Sequence, residues 1–144
     1  MIVAVLDTNV LASGAIAVAG PVAFLIDAWR HGRLRVVVSS HILGELERAL
    51  SNAYFADRLD TKNCNEFLTL ARTTTTIVTI TAPITNVAST RDDNLVLATA
   101  ESAGAPFLVT GDAELLRIRE HKGILILSPR QLHDLLEIEI ADSN

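Results

Sequence analysis

The chain has 144 residues, of which 49% are hydrophobic and 20% charged, and its formal net charge is −5. This length fits one domain, and the composition excludes a disordered chain because it supplies ample material for a core. The negative charge argues against a protein that coats nucleic acid by bulk electrostatics. It does not exclude a nucleic-acid enzyme, since bound divalent cations would neutralise much of that charge.

The cellular compartment is indicated by three features that the sequence lacks: a cysteine pair, a membrane-spanning run and a signal peptide. The single cysteine, Cys64, cannot form an internal disulfide, which is typical of a reducing interior. No apolar run approaches the roughly 20 residues needed to span a bilayer, and Met1–Leu6 has no basic region of the kind that begins a signal peptide. We therefore expect a cytoplasmic protein without membrane association. We predict one domain over residues 1–140 and a flexible C-terminal tail over residues 141–144.

Short β-branched runs alternate with longer helical patterns, as in βαβ units around a parallel sheet. The predicted strands are Ile2–Leu6, Arg35–Val38, Thr76–Ile80, Phe107–Thr110 and Ile124–Leu127. They show little polar alternation, as expected for strands covered by helices on both faces. The pattern predicts an α/β fold with three layers, α/β/α, around a mostly parallel five-stranded sheet.

Several predicted helices carry clear start and stop signals. Pro21 suits a first turn, apolar residues then recur with helical period as far as Trp29, and Gly32 ends the helix. Trp29 is expected in the core. Ser128 and Pro129 form an N-cap and first-turn pair that begins the last helix. Further helices are predicted near Ser40–Ser51, Thr61–Arg72, Asn94–Ala103 and Ala113–Arg119.

Acidic residues follow the predicted strands, at the sheet edge where open α/β folds bind ligands. Asp7 follows the first strand and Asp112 the fourth; Asp93 precedes a helix after the third, and the helix after the second carries Glu45 and Glu47. We expect Asp7 to lie among like charges without a structural partner. Gathered carboxylates repel one another unless a cation compensates. Such oxygen ligands suit Mg²⁺ or Mn²⁺, which can activate water against a phosphodiester.

The same pattern leaves other interpretations open. Each aspartate could instead be a helix N-cap, although the convergence of several regions on one edge favours a site. Periodicity cannot choose between Glu45 and Glu47, which flank the apolar stripe of their helix on opposite sides. His41 could share a metal with Glu45, but with no second histidine nearby a first-turn surface histidine is favoured. Arg91 and Arg117 are candidates for contact with a phosphate backbone, or are solvated charges at helix ends.

Five short motifs occur in order along nearly the whole chain. They are V-L-D-T-N at Val5–Asn9, S-S-x-I-L-x-E-L from Ser39 to Leu46, D-N-x-x-L-A-x-A from Asp93 to Ala100, L-V-T-G-D-A-E-L-L from Leu108 to Leu116, and I-L-S-P before the last helix. Each is a modest signal, and the ordered set is specific. It resembles the PIN-domain family, close to the bacterial toxin components of toxin–antitoxin pairs (VapC-like ribonucleases).

The resemblance implies a catalytic and metal-binding quartet, and it selects Glu45 over Glu47. The quartet consists of Asp7, Glu45, Asp93 and Asp112. The resemblance also implies that Asn9 and Thr110 orient ligands or water, with Glu114 in a supporting role.

Two departures from the family pattern bear on metal affinity or substrate preference. Thr90 stands where the family often has an aspartate, although Asp92 adds a neighbouring carboxylate. Glu114 stands where the family has a second aspartate. Neither departure removes a member of the quartet.

The activity implied by the resemblance is Mg²⁺- or Mn²⁺-dependent endonucleolytic cleavage of single-stranded or looped RNA, leaving 5′-phosphate and 3′-hydroxyl ends. The implied partner is a small antitoxin protein, and a homodimer is the default expectation for such a scaffold. A housekeeping RNA-processing nuclease and a silent scaffold that only binds a partner protein are the alternatives. A haloacid-dehalogenase-type phosphohydrolase is disfavoured because Asn9 occupies the place of its second aspartate. A receiver domain is disfavoured because Ser128 follows the fifth predicted strand, where a lysine would be needed.

Overall fold

Parallel strands form the centre of the molecule in a computed structural model that describes residues 1–143. The strands of these residues are β1 (Ile2–Leu6), β2 (Leu34–Ser39), β3 (Thr76–Val78), β4 (Phe107–Val109), β5 (Glu120–His121) and β6 (Ile124–Leu127). The helices are α1 (Thr8–Ile16), α2 (Gly20–Arg30), α3 (Ser40–Leu50), α4 (Ala53–Ala56), α5 (Thr61–Thr74), α6 (Arg91–Ala103), α7 (Ala113–Ile118) and α8 (Pro129–Asp142). The predicted three-layer α/β/α architecture is confirmed.

The sheet has the strand order β3-β2-β1-β4-β6-β5. All its pairs are parallel except β5 with β6. The central strand β1 is in register with both neighbours, because Val5 pairs with Val37 on one side and with Leu108 on the other. The residues that follow β1, β2 and β4 therefore emerge side by side at one edge of the sheet.

The order of the strands also places the helices in two layers. The connections from β1 to β2 and from β3 to β4 run in opposite directions across the sheet, so right-handed crossovers put their helices on opposite faces. On one face α2 packs against β2 and α8, and on the other α6 packs across β1, β2, β3 and β4. Trp29 is buried as predicted and stacks edge-on against Phe67, with 6.1 Å between the ring centres.

Several elements differ from the sequence-based prediction; among them, β3 ends at Val78 rather than Ile80, and the short helix α4 was not predicted. The sheet gains the two-residue antiparallel strand β5, and α6 begins at Arg91 rather than Asn94, so that Asp92 and Asp93 lie in its first turn. Helix α1 was not predicted, because its residues are apolar on nearly all sides and show no amphipathic period. Its Gly14 lets it approach α2 closely, since a Cβ there would lie 2.5 Å from Ile26 Cδ1.

The C-terminal helix α8 reaches into the predicted tail. It continues to Asp142, with Ser143 as its C-cap, while Asn144 lies outside the described residues. The flexibility of residues 141–144 stays a prediction. Within residues 1–143, no single helix is long and apolar enough to cross a membrane, and the pair α1 and α2 meets that test only by length and composition, with a bend of 91° between them.

Candidate metal centre

Asp7 lies between β1 and α1, where it is the N-cap residue of α1. It is almost fully buried, at 6% exposure. Its Oδ1 accepts a hydrogen bond from the Thr8 backbone N–H at 2.7 Å. Its Oδ2 accepts from the Thr110 hydroxyl at 2.8 Å and from the Asn9 amide at 3.2 Å. The expectation that Asp7 lacks structural partners was therefore wrong, because the segment after β4 supplies a hydroxyl that the sequence could not place beside it.

Asn9 and Thr110 tie the ends of β1 and β4 together. Thr110 Oγ1, which is fully buried, accepts from the backbone N–H of Asp112 at 3.0 Å while it donates to Asp7. Asn9 Oδ1 accepts from the Gly111 N–H at 2.9 Å. The two side chains thus fix the positions of Asp7 and Asp112 relative to each other, which is the supporting place that the family resemblance implies for them.

Asp93 lies in the first turn of α6, where it faces Asp112 and Asp7. Burial raises the pKa of the Asp93 carboxyl from 3.8 to about 6, with further contributions from the hydrogen bond and charge of Asp112. Burial also raises the pKa of Asp7, against the hydrogen bonds from Thr110 and Thr8, and the charge of Asp112 adds to the rise. Three quartet carboxylates therefore interact. The raised pKa values of Asp7 and Asp93 show that negative charge is unfavourable at this place in the metal-free protein.

The segment between β3 and α6 is held in place by two side chains that sequence reasoning undervalued. The buried Asn94 binds Ala88 through both ends of its amide, at 2.9 Å each, and also donates to the Thr90 carbonyl at 2.8 Å. Glu114 accepts from the backbone N–H of Ser89 at 2.7 Å and from its hydroxyl at 2.8 Å, and these bonds lower the pKa of Glu114. Glu114 thus anchors the chain just before Asp93.

Glu45 and Glu47 point in different directions from α3, which periodicity could not resolve. Glu45 lines a cleft of about 360 Å³ together with Asp7 and Asp93, and its carboxylate pairs with Arg48. Glu47 instead pairs with Arg72 of α5 at 3.1 Å. We call the cleft lined by Asp7, Glu45 and Asp93 the acidic cleft. The structure therefore places Glu45 at the cleft and Glu47 on Arg72, and a metal-binding role for Glu45 stays a prediction.

Asp112 lines an adjoining cavity of about 310 Å³, which shares Asn9 and Ser13 with the acidic cleft. It is also the N-cap of α7, since its Oδ1 accepts from the Glu114 N–H at 2.9 Å. The N-cap interpretation thus holds for Asp7 and Asp112. It does not hold for Asp93, because Thr90 caps α6. Capping accounts for two of the aspartates without accounting for their convergence with Asp93.

His41 does not lie on the surface as predicted. Its side chain is 17% exposed, lines the acidic cleft, and brings Nε2 to 3.6 Å from Asp92 Oδ1. Its Nε2 is buried without a hydrogen-bond partner in the described part of the chain. The helical spacing to Glu45 was visible in the sequence, but the approach of the first turn of α6, which buries His41, was not.

Arg91 and Arg117 are both exposed, at the first turn of α6 and the last turn of α7. Arg117 lies near enough to Glu114 for its charge to contribute to the lowered pKa of that carboxylate, after the bonds from Ser89. The first turn of α6, which carries Arg91, borders the acidic cleft through Asp92 and Asp93. A phosphate contact for either arginine stays a prediction.

The donor set of the acidic cleft fits a hard divalent cation. Its ligand atoms are carboxylate oxygens, which Mg²⁺ and Mn²⁺ prefer. The raised pKa of Asp93 and of Asp7 comes from burial and from neighbouring carboxylates, and a cation would relieve both. Within residues 1–143, one group of His, Asp and Glu in the cleft has ligand atoms all within 4.8 Å of one another, and it consists of His41, Glu45 and Asp92 rather than of the quartet.

The carboxylates gather at the carboxyl edge of the sheet, where open α/β folds bind their ligands. The PIN-domain family profile matches residues 3–114, and the chain belongs to the PIN-domain family. PIN domains are generally nucleases, and PIN nucleases use divalent metal ions. No curated protein sequence matches the chain.

Several solved protein chains match this fold, among them the following two. The chain is similar to PAE2754 from Pyrobaculum aerophilum, with a TM-score of 0.65 and 22% identity over 95% of this chain and 90% of that one. It is also similar to VapBC2 from Rickettsia felis, solved bound to a DNA fragment from their promoter, with a TM-score of 0.60 and 16% identity over 88% of this chain and 98% of that one. At sequence identities of 22% and 16%, these similarities establish a shared fold.

Proposed function

We propose that the chain is a metal-dependent endoribonuclease that hydrolyses phosphodiester bonds of RNA at the acidic cleft. The observation that carries this proposal is the convergence of Asp7, Asp93 and Asp112, whose mutual repulsion contributes to a pKa of about 6 at Asp93. A PIN-domain protein with this cluster retains the ionisable groups that the nuclease reaction needs. A silent scaffold would have no use for carboxylates that raise one another's pKa.

In the proposed mechanism Asp7, Glu45, Asp93 and Asp112 hold Mg²⁺ or Mn²⁺. When bound, the cation supplies positive charge at the scissile phosphate and makes water more acidic. Thr110, Asn9 and the Thr8 N–H fix both oxygens of Asp7. Glu114 and Asn94 hold the segment that leads to Asp93. One quartet carboxylate would accept the proton of the attacking water as its oxygen bonds to phosphorus in line with the P–O3′ bond. That bond breaks, and the leaving 3′ oxygen takes a proton from solvent water, so the products carry 5′-phosphate and 3′-hydroxyl ends.

Single-stranded or looped RNA is the proposed substrate, because its backbone can bend into a cleft while a duplex holds its backbone rigid. Arg91 and Arg117, both exposed, are proposed to contact phosphates and so to offset the negative charge of the cleft.

We further propose that the chain is the toxin of a type II toxin–antitoxin pair, with a small antitoxin protein as partner, and that it forms a homodimer in the cytoplasm. The likeness to VapBC2 from Rickettsia felis supports the partner. Expression of the parent chain alone should arrest bacterial growth, while Asp112→Asn should not. Growth that is unaffected by an active parent would favour a housekeeping RNA-processing nuclease.

The activity is tested by incubating the full chain with circular single-stranded RNA in Mn²⁺, with a chelated reaction beside it. Circular substrate reveals endonucleolytic cleavage, and the ends of the products should be 5′-phosphate and 3′-hydroxyl. Asp112→Asn should lower the rate by about a hundredfold or more through loss of a metal ligand. Asp60→Asn is the matched control, because Asp60 also caps a helix, α5, and is not among the residues that line the cleft. A parent that cuts no RNA, or an Asp112→Asn variant as active as Asp60→Asn, would refute the proposal.

A further inference from the structure

His41, Glu45 and Asp92 form a cluster of mixed chemistry on one wall of the acidic cleft. His41 and Glu45 are one helical turn apart on α3, and Asp92 reaches them from the first turn of α6. One ligand atom from each lies within 4.8 Å of the other two. Only Glu45 belongs to the quartet. His41 and Asp92 are outside it.

The buried nitrogen of His41 lacks the partner that a buried polar atom normally has. Nε2 is sequestered from solvent without a hydrogen-bond partner among the described residues. Asp92 Oδ1, at 3.6 Å, is too distant for a hydrogen bond but near enough for both atoms to bind one ion. Metal–ligand bonds of about 2.1 Å place neighbouring donor atoms about 3–4 Å apart. The 3.6 Å between His41 Nε2 and Asp92 Oδ1 therefore fits the coordination shell of a cation, and a carboxylate oxygen of Glu45 lies within 4.8 Å of a ligand atom of each.

The charges around the cluster also favour a cation. Asp7 and Asp93 line the same cleft, while the cationic side chain paired with Glu45 is Arg48, which is mostly exposed. An imidazole nitrogen beside two carboxylates is a poor set for Mg²⁺, which prefers oxygen ligands. It is a good set for Mn²⁺ and for later transition ions, which accept nitrogen and oxygen together.

We propose that His41, Glu45 and Asp92 form a second cation subsite beside the quartet, one that takes a divalent transition ion such as Mn²⁺ in preference to Mg²⁺. This inference rests on the proposed metal-dependent function, because Glu45 is shared between the subsite and the quartet. It adds a nitrogen ligand to a centre that the family pattern describes by oxygen ligands alone. It also gives Asp92 a role that compensates for the aspartate missing at Thr90.

The test is a calorimetric titration of the full chain with Mn²⁺ and, separately, with Mg²⁺. The parent should bind one more equivalent of Mn²⁺ than of Mg²⁺. His41→Gln should weaken that additional Mn²⁺ site by about tenfold or more and leave Mg²⁺ binding within about threefold. His31→Gln is the matched control, because His31 is an exposed histidine at the end of α2 whose ring bonds the Asp27 carbonyl. Pulsed electron paramagnetic resonance of bound Mn²⁺ should show coupling to an imidazole nitrogen in the parent and in His31→Gln, and none in His41→Gln.

Asp92→Asn provides a second variant of the subsite on a different helix, so that the test does not depend on His41→Gln folding. It should also weaken the additional Mn²⁺ site. Asp112→Asn separates the two proposals, because Asp112 lies outside the cluster. Mn²⁺ binding that is reduced by Asp112→Asn but unchanged by His41→Gln and Asp92→Asn, without nitrogen coupling in the parent, would overturn the subsite and leave the proposed function standing. A parent that binds no Mn²⁺ at all would overturn both.

Discussion

Replacing Asp93 by asparagine should make the metal-free protein more stable at neutral pH and leave it nearly unchanged in acid. The folded-state pKa of Asp93 is about 6 and its ordinary value is 3.8, so the folded state holds this proton more tightly than the unfolded chain does. Stability is therefore lost as pH rises from about 4 to about 7, where the folded carboxyl ionises beside Asp112. The amide side chain of the Asp93→Asn variant never ionises, so the variant avoids that loss.

The magnitude follows from the two pKa values. The difference between about 6 and 3.8 corresponds to about 3 kcal/mol at full strength. Because Asp93 is only partly buried, solvent screening reduces the effect to about 1–2 kcal/mol. A second effect opposes this gain in stability. The helix dipole stabilises a carboxylate at the N-terminus of α6, so removing one there costs about 0.3–1 kcal/mol of folding free energy. Asp92→Asn measures that second effect, since Asp92 lies in the same turn and is 68% exposed.

The assay is thermal unfolding of the parent, Asp93→Asn and Asp92→Asn in chelated buffer at about pH 4 and about pH 8. At the higher pH, Asp93→Asn should exceed Asp92→Asn by about 1–2 kcal/mol, or about 3–6 °C in melting temperature for a domain of this size. At the lower pH the two variants should differ little. If Asp93→Asn is as destabilising as Asp92→Asn at both pH values, the carboxylates are not in repulsive contact and the account of the cleft fails.

The remaining predictions concern the side chains that shape the cleft. Glu45→Gln should lower Mn²⁺-dependent RNA cleavage by about a hundredfold, while Glu47→Gln should keep most of the rate; equal losses would show that the assignment of Glu45 is wrong. Thr110→Val should destabilise the fold by about 2 kcal/mol in urea denaturation, because Asp7 and the Asp112 N–H each lose a buried partner, and Thr110→Ser should restore most of that loss. Arg117→Gln should raise KM for RNA more than it lowers kcat, and a change in kcat alone would exclude a role in binding the RNA backbone.

The layout of the site was predictable because it depends on strand order and on the residues that begin and end helices and strands. Parallel strands bring their carboxyl ends to one edge, so the residues after β1 and β4 had to lie near each other, and Asp7 and Asp112 do. The ambiguity between Glu45 and Glu47 was real in the sequence, since both flank one stripe, and their long-range contacts with the cleft and with Arg72 resolve it. The family resemblance selects Glu45 as a metal ligand, and that role stays a prediction.

What the sequence did not reveal depends on contacts between distant segments. The burial of His41 depends on where the first turn of α6 lies, and that turn is positioned by the bonds of Asn94 to Ala88 and of Glu114 to Ser89. These partners are six and 25 residues apart in the chain. No local pattern reports such pairings. Helix α1 was not predicted for a different reason. A helix that is buried on most sides has no polar face, so its sequence shows no amphipathic periodicity.

The most direct test of the central claim is the effect of Mn²⁺ on the melting temperature of the parent and of Asp7→Asn. A ligand that binds only the folded state at a hundredfold excess over its Kd stabilises by about 2.7 kcal/mol. For a domain of this length that is a rise of about 5–10 °C. We predict that rise in the parent, and the loss of most of it in Asp7→Asn, whose metal-free fold is verified by circular dichroism. A parent whose melting temperature does not respond to saturating Mn²⁺, or a variant that responds as the parent does, would contradict the assignment of this cleft as a metal centre.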